Sequence, residues 1–416
     1  MAAEPTPSAA QSDPVRLGWM TGSPPPPDKV VRVADGSAYR FPQLRWSFSN
    51  QRQLLPTTNV SRGLGPCEPL ARAERAELDA VSFTPLGAQA PMNWAQAFEA
   101  TYTDGIVVLH RGCIVHERYA GALQPEGQHI AMSVTKSFFG LLGAVLVAEG
   151  QLDEHARVAH YVPQLRGSAF EDATVRQLLD MRTGLRYSED YADPGAEIWS
   201  HLRAGGLMPR PIGYSGPQTY YEFLQTVGKE GEHGGAFAYK TVNTDALGWV
   251  IRRATGRSVG QLLSERIWSR LGMEQDAYFS VDSVGNEFAG GGLNTGLRDL
   301  ARFGELVRNG GRRAGVQVLP QAAIDDIRRG GERAAFGGYP LLQGWSYRNM
   351  WWVSHNAHGA FMARGVHGQS VYVDPMAEMV IARYASHPLA ANAHNDPITL
   401  PAYHALACTL VQRPQP

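Results

Sequence analysis

Ala131-Met132-Ser133-Val134-Thr135-Lys136-Ser137-Phe138-Phe139-Gly140 opens an apolar, small-residue-rich run over 138–148. Such a run is long enough for three helical turns. Residues three apart on a helix share one face, which sets the Ser133 hydroxyl one turn from the Lys136 amine. A serine hydroxyl is a poor nucleophile until a neighbour takes its proton, and a desolvated lysine with a lowered pKa can take it. The residue choice carries information. Lysine occurs only at 29, 136, 229 and 240, while arginine supplies the other 34 of the 38 basic residues. Arginine stays protonated in proteins, so a chain that otherwise prefers it has placed lysine where proton transfer needs one. The apolar run predicts a buried helix whose N-terminal end, with its free N–H groups, faces a cleft.

The chain has 416 residues, beyond one ordinary domain, with 44% hydrophobic and 19% charged residues. That composition fits a globular protein with a large core. A net charge of −1, without a charge run or basic helix, gives no indication of nucleic acid or anionic membrane partners. Cys67, Cys113 and Cys408 have no metal-ligand spacing and cannot all pair within the chain, which fits a reducing compartment. The first 16 residues lack the pattern of a signal peptide, and 138–148 is too short to span a membrane. The expectation is a cytoplasmic protein.

Residues 1–75 read as an N-terminal extension. Its first 30 or so residues are a proline-rich, irregular arm ending in Pro24-Pro25-Pro26-Pro27, and 31–75 are an extended strap carrying Tyr39, Phe41, Trp46 and Phe48. The remainder, 76–416, reads as one large domain of two lobes. Residues about 76–131 and 285–416 form an α/β lobe, and about 132–284 a helical lobe. Spacing predicts helices over 91–102, 133–149, 174–181, 219–227, 243–255, 259–271, 297–307, 321–329 and 400–411. The Thr174-x-x-Gln177 pattern marks a capping box. A hairpin is expected over 105–119 about Gly112, and strands over 366–373 and 379–384. The order implies an α+β fold, an antiparallel sheet flanked by helices plus a helical lobe.

An activated serine needs a second proton-handling group and an oxyanion hole. Tyr239, after the glycine-rich 231–235 and before a helix that Asn243 can cap, is the candidate phenol. Lys136, or the adjacent Lys240, can lower its pKa. At Ala363-Arg364-Gly365-Val366-His367-Gly368-Gln369 small residues let the Val366 N–H approach a substrate oxygen, making a two-donor hole with the Ser133 N–H. His367 is a candidate substrate contact. The 190–194 loop is a candidate cleft wall, whereas Trp351-Trp352 reads as core. His110 and His116, or His355 and His358, lack a third ligand, so no metal is expected. The triple glycine at 290–292 does not follow a dinucleotide pattern.

Together, Ser133-x-x-Lys136, Tyr239-x-x-x-Asn243 and the Gly365-containing segment resemble, in order, the serine β-lactamase and penicillin-binding superfamily, whose signature is S-x-x-K. Tyrosine in the second motif resembles the class C branch and its esterase relatives. The segments 132–137, 189–194, 237–245 and 366–369 resemble the 6-aminohexanoate-dimer (nylon-oligomer) hydrolases, a likeness covering roughly 90–385. The resemblance implies a β-lactamase-like fold, Ser133 as nucleophile, Lys136 as base, Tyr239 as proton shuttle, and an oxyanion between the N–H groups of Ser133 and Val366. It further implies substrate contacts from Tyr191, Asn243, Trp352, Gly365 and His367. Ala363 stands near the place of the lysine that holds a β-lactam carboxylate. Leu202 and Gly290 stand where efficient nylon-oligomer hydrolases carry polar residues.

The expected function is a cofactor-free serine hydrolase acting on small-molecule esters or linear amides. A β-lactamase or D-amino peptidase is the nearest alternative, and a non-catalytic binding or sensor domain the alternative of another class.

Overall fold

The computed structural model describes residues 6–412. A seven-stranded, wholly antiparallel sheet runs in the order Ser346–Arg348, Trp351–Val353, Phe361–Gly365, Gln369–Asp374, Met379–Ala385, Thr103–His110, Cys113–Tyr119. Strand alternation divides its two faces. Val371 and Val380 lie against Gly304 of helix Leu297–Arg308. Ser370 and Tyr372 face the opposite way, onto Tyr403 of the closing helix Asp396–Gln412. The sheet is therefore covered on both sides, with Trp94–Ala100 beside the closing helix through the Trp94–Tyr403 ring contact.

The helix Val134–Ala148 follows Ser133, its N-cap residue, and nearly all of it is buried. Phe138 stacks on Phe303 with ring centroids 3.7 Å apart, joining this helix to Leu297–Arg308. Its other anchor is the turn at Asn349-Met350, where both residues have positive φ, 47° and 61°, joining two sheet strands. Two central residues with positive φ are the type I′ arrangement that matches the twist of a tight hairpin. The Ser137 hydroxyl donates to Met350 O (2.7 Å), and Trp351 Nε1 donates to Ser137 O (3.1 Å). The turn is held by the Asn349 N–H on Asp180 Oδ1 and the Asn349 amide on Asp326.

A second antiparallel sheet, missed in the sequence, orders Thr57–Val60, Ala277–Ser280, Leu293–Thr295 and His129–Ile130. Its edge strand comes from the strap, which is thus an integral part of the fold and not only an overlying segment. The arm is likewise packed, contrary to expectation. Buried Arg45 pairs with Asp104 (3.1 Å), reaches Ser12 Oγ (3.0 Å) and Ser386 Oγ (3.1 Å), and bonds Ala9 O. One guanidinium so ties arm, strap and main sheet, and its charge is matched inside the protein.

The helices over 174–181, 219–227, 243–255, 259–271, 297–307 and 321–329 appear with ends shifted by a few residues, and the Thr174/Gln177 capping box is present. The strand expected over 366–373 is broken. Phe361–Gly365 and Gln369–Asp374 pair with each other across a tight turn in which His367 has φ 62°. The closing helix starts at Asp396 and contains Pro401, and a further helix, Glu197–Ala204, was not foreseen. No helix among the described residues is long and apolar enough to cross a membrane.

The close approach at Gly140 yields a test. A β-carbon there would collide with the Asn349 carbonyl, backbone that cannot step aside. Gly140→Ala is expected to lower stability by about 1–3 kcal/mol in urea unfolding.

Candidate active site

Ser133 lies at the start of the buried helix, and Lys136 one turn in. Lys136 Nζ is 2.7 Å from Ser133 Oγ and 2.5 Å from Gly290 O. Lys136 is 1% exposed, and burial pulls its pKa down from 10.5 to about 8, against the opposing pull of Glu189 and Asp245. Its third neighbour is the Tyr239 ring, with the centroid 5.0 Å from Nζ. Tyr239 and Ser133 line the same cavity, and the Ser133 side chain favours the charged form of the phenol. Serine, lysine and tyrosine are thus brought together at one point.

One expectation about this group is corrected. The Tyr239 phenol is not acidified; burial, and next the charge of Glu189, push its pKa well above 10, and the Ser133 side chain only partly offsets them. Lys240 does not tune it, because its amine is turned to Leu185 O and to Glu230 (2.6 Å). A phenol that keeps its proton is suited to donate it, which leaves the neutral amine as the group able to accept one.

Asn243 is also corrected. The helix begins at Val242, so Asn243 is inside it and caps nothing; its Oδ1 accepts from Thr183 Oγ1 (2.8 Å), and it does not line the cavity. The other expected contacts do line it. Above Ser133 are two joined lobes of about 320 and about 490 Å³, which share Ser133, Glu189, Tyr191, Val366 and Ala391. Trp352 and Gly365 face the smaller lobe, and Trp352 stacks on Tyr239 with centroids 5.6 Å apart, while Trp351 points into the core. His367 lines the larger lobe; its Nδ1 is 2.7 Å from His387 O, and burial lowers its pKa to about 4, so it is neutral. Gly365 is held to glycine by space. A β-carbon there would stand 2.9 Å from Ser133 N and 2.8 Å from Ala131 O, filling the place beside the serine N–H.

Other residues of the site escaped sequence reasoning. Glu189 accepts from Thr241 N (2.5 Å), Thr241 Oγ1 (2.6 Å) and Tyr191 OH (3.2 Å), binding the 189–194 loop to the Tyr239 segment. Asp245 accepts from the N–H groups of Ala289 (3.0 Å) and Gly290 (3.4 Å), so it holds the segment whose carbonyl holds Lys136. Burial pushes its carboxyl up to about 8, against the opposing pull of the Lys136 charge. His201, 3.4 Å from Asp245, is kept neutral by burial, its pKa lowered to about 3. Only the apolar character of their surroundings could have signalled these groups. From the strap, Tyr39 supplies a wall of the larger lobe. Leu202 and Gly290 line that lobe too, and a β-carbon at Gly290 would strike Thr241.

Fold and site define a serine hydrolase: a buried helix presents a serine hydroxyl beside a buried amine at the mouth of a cavity. The chain belongs to the β-lactamase family, whose profile matches residues 93–402. It is 36% identical over 352 residues to the 6-aminohexanoate-dimer hydrolase of Paenarthrobacter ureafaciens, covering 83% of this chain and 86% of that one. A solved structure from Bacillus anthracis, to which the same activity is provisionally assigned, superposes with a TM-score of 0.85 at 31% identity, covering 94% of this chain and all of that one. A family VIII carboxylesterase shares the fold at 19% identity and a TM-score of 0.54, over 82% of this chain and 99% of its own.

Since the amine accepts a proton only when uncharged, kcat/KM should rise with pH and reach half its plateau near 8. Glu189→Gln removes the charge that most favours the ammonium and should move that limb to lower pH. A pH–rate series on both proteins checks this.

Proposed function

We propose that the chain hydrolyses carboxyl esters and linear amides of small molecules through an acyl-enzyme on Ser133. The observation that carries the reading is the 2.7 Å contact between the Ser133 hydroxyl and a buried amine whose pKa is lowered to about 8. In this reading neutral Lys136 takes the hydroxyl proton as Ser133 Oγ attacks the carbonyl carbon. The oxyanion sits between the N–H groups of Ser133 and Val366. Tyr239 hands a proton to the departing alkoxide or amine and is reprotonated from Lys136. Water then attacks the acyl-enzyme by the reverse relay and releases the acid. Tyr191, Trp352, Gly365 and His367 shape the space for the substrate.

The walls argue for substrates without a strong end charge. Ala363 is buried in its strand and offers no ammonium to a β-lactam carboxylate. Its neighbour Arg364 is already paired with Asp396 at 2.6 and 2.7 Å. Leu202 and Gly290 bring no polar group to a substrate amine. The Paenarthrobacter relative is named for a linear amide, which supports amides beside esters. An ester asks less of the acid catalyst, because an alkoxide leaves more readily than an amine. Three unpaired cysteines support a reducing, cytoplasmic setting.

Hydrolysis of p-nitrophenyl acetate or butyrate is expected, with nitrocefin and the 6-aminohexanoate dimer turned over more slowly. Ser133→Ala should abolish it, and Tyr239→Phe should lower kcat roughly 100- to 10,000-fold. A fluorophosphonate should add once by intact mass, with the adduct on the Ser133 peptide. Fast nitrocefin turnover without ester hydrolysis would sink the reading.

A further inference from the structure

Outside the hydrolase cavity, three donors from two distant stretches of chain converge. His358 lies between strands Trp351–Val353 and Phe361–Gly365; His404 and Cys408 are one turn apart on the closing helix Asp396–Gln412. One donor atom from each lies within 4.8 Å of the other two. Cys408 Sγ is 3.6 Å from His404 Nε2, and the two imidazole centroids are 5.1 Å apart. Ligands at the usual zinc–sulfur and zinc–nitrogen lengths around a tetrahedral ion stand about 3.5 Å from each other. The sulfur–nitrogen separation is already that of two ligands of one ion.

An independent observation concerns the orientation of His358. Its Nδ1 lies 2.9 and 3.1 Å from the two oxygens of Asp374, a fully buried carboxylate that also accepts the Ala377 N–H (2.9 Å). A carboxylate on Nδ1–H fixes the ring and its tautomer, and leaves the Nε2 lone pair free, as in carboxylate–histidine–zinc arrangements. The neighbouring His355, paired with His358 in the sequence, is instead bonded to Ser346 (2.7 Å) and takes no part. The partners of His358 come from the helix some 50 positions later, beyond the reach of local spacing.

We propose that His358, His404 and Cys408 form a zinc-binding site, with Asp374 positioning His358. Two imidazoles and a thiolate suit zinc, whereas magnesium and calcium want oxygen ligands. Half-exposed positions on this face leave the fourth place to water. None of the three residues lines the substrate cavity, so the ion acts as a clip between the closing helix and the sheet. Cys408 releases its thiol proton on binding, so affinity falls as pH falls.

The test uses the full chain, stripped of metal with a chelator and then desalted, and titrated with Co²⁺ and afterwards Zn²⁺. One equivalent of Co²⁺ should give a near-ultraviolet thiolate-to-cobalt charge-transfer band that Zn²⁺ erases, and Zn²⁺ should raise Tm. Cys408→Ser should remove the band and His404→Ala should abolish tight binding. Asp374→Asn should weaken binding roughly 10- to 100-fold. A Cys67→Ala/Cys113→Ala double variant should keep the band. Ester hydrolysis should be unchanged in Cys408→Ser and His404→Ala, which also reports that they fold. A missing band, a band that survives Cys408→Ser, or Zn²⁺ affinity equal in His404→Ala and the parent chain would overturn the site.

Discussion

An amine with almost no access to water, pressed against a serine hydroxyl, is the constraint on which the site depends. Taking Lys136 from its ordinary pKa of 10.5 to about 8 corresponds to a cost on the order of 3 kcal/mol for the charged form. The surroundings withhold a full counter-ion: the nearest partners are a hydroxyl and the Gly290 carbonyl, and the carboxylates of Glu189 and Asp245 act only at a distance. A direct salt bridge would hold the ammonium and end its use as a base. The fold instead spends Glu189 on Thr241 and Tyr191, and Asp245 on the 289–290 backbone, fixing the walls of the pocket while leaving the amine reactive.

That environment requires the helix Val134–Ala148 to sit deep and not move. Its depth comes from Gly140 against the Asn349 carbonyl, its lateral position from Phe138 on Phe303, and its register from the Ser137 and Trp351 hydrogen bonds. The Asn349-Met350 turn that receives it places a bulky residue at φ 61°, a strained choice tolerated because Asp180 and Asp326 hold Asn349, with Arg176 and Arg348 linking both acids. A charged network on the surface side of the turn thereby supports an uncharged contact on the core side.

What was legible in the chain was local. Ser133 and Lys136 are one turn apart, the Thr174 capping box spans four residues, and the 105–119 hairpin announces itself by β-branched runs about Gly112; each needs no knowledge of the rest of the fold. What was not legible depends on distant packing. The strands of the second sheet are two to four residues long, and its edge strands pair with partners far along the chain, as at Thr57 with Ser280 and His129 with Thr295. The Asn349-Met350 turn lacks the Asn-Gly signal of its type. Asn243 was misjudged because helix onset at Val242 turns it toward Thr183. The direction of the Tyr239 shift was misjudged because a lysine beside a phenol is visible in sequence, whereas complete burial of that phenol is not.

In the proposed mechanism the corrected tyrosine changes the division of labour in a useful way. Two groups with similarly lowered pKa values would compete for one proton, and neither would hold it where the leaving group needs it. Here burial acts on both groups and drives them apart, because it penalises whichever form is charged: the ammonium of Lys136 and the phenolate of Tyr239. In that mechanism the same desolvation yields a base that loses its proton near pH 8 and an acid that stays protonated there. Opening the pocket to water would weaken both roles together. That makes the aromatic wall of Trp352, Tyr347 and Phe237 around Tyr239 part of the chemistry as well as part of the core.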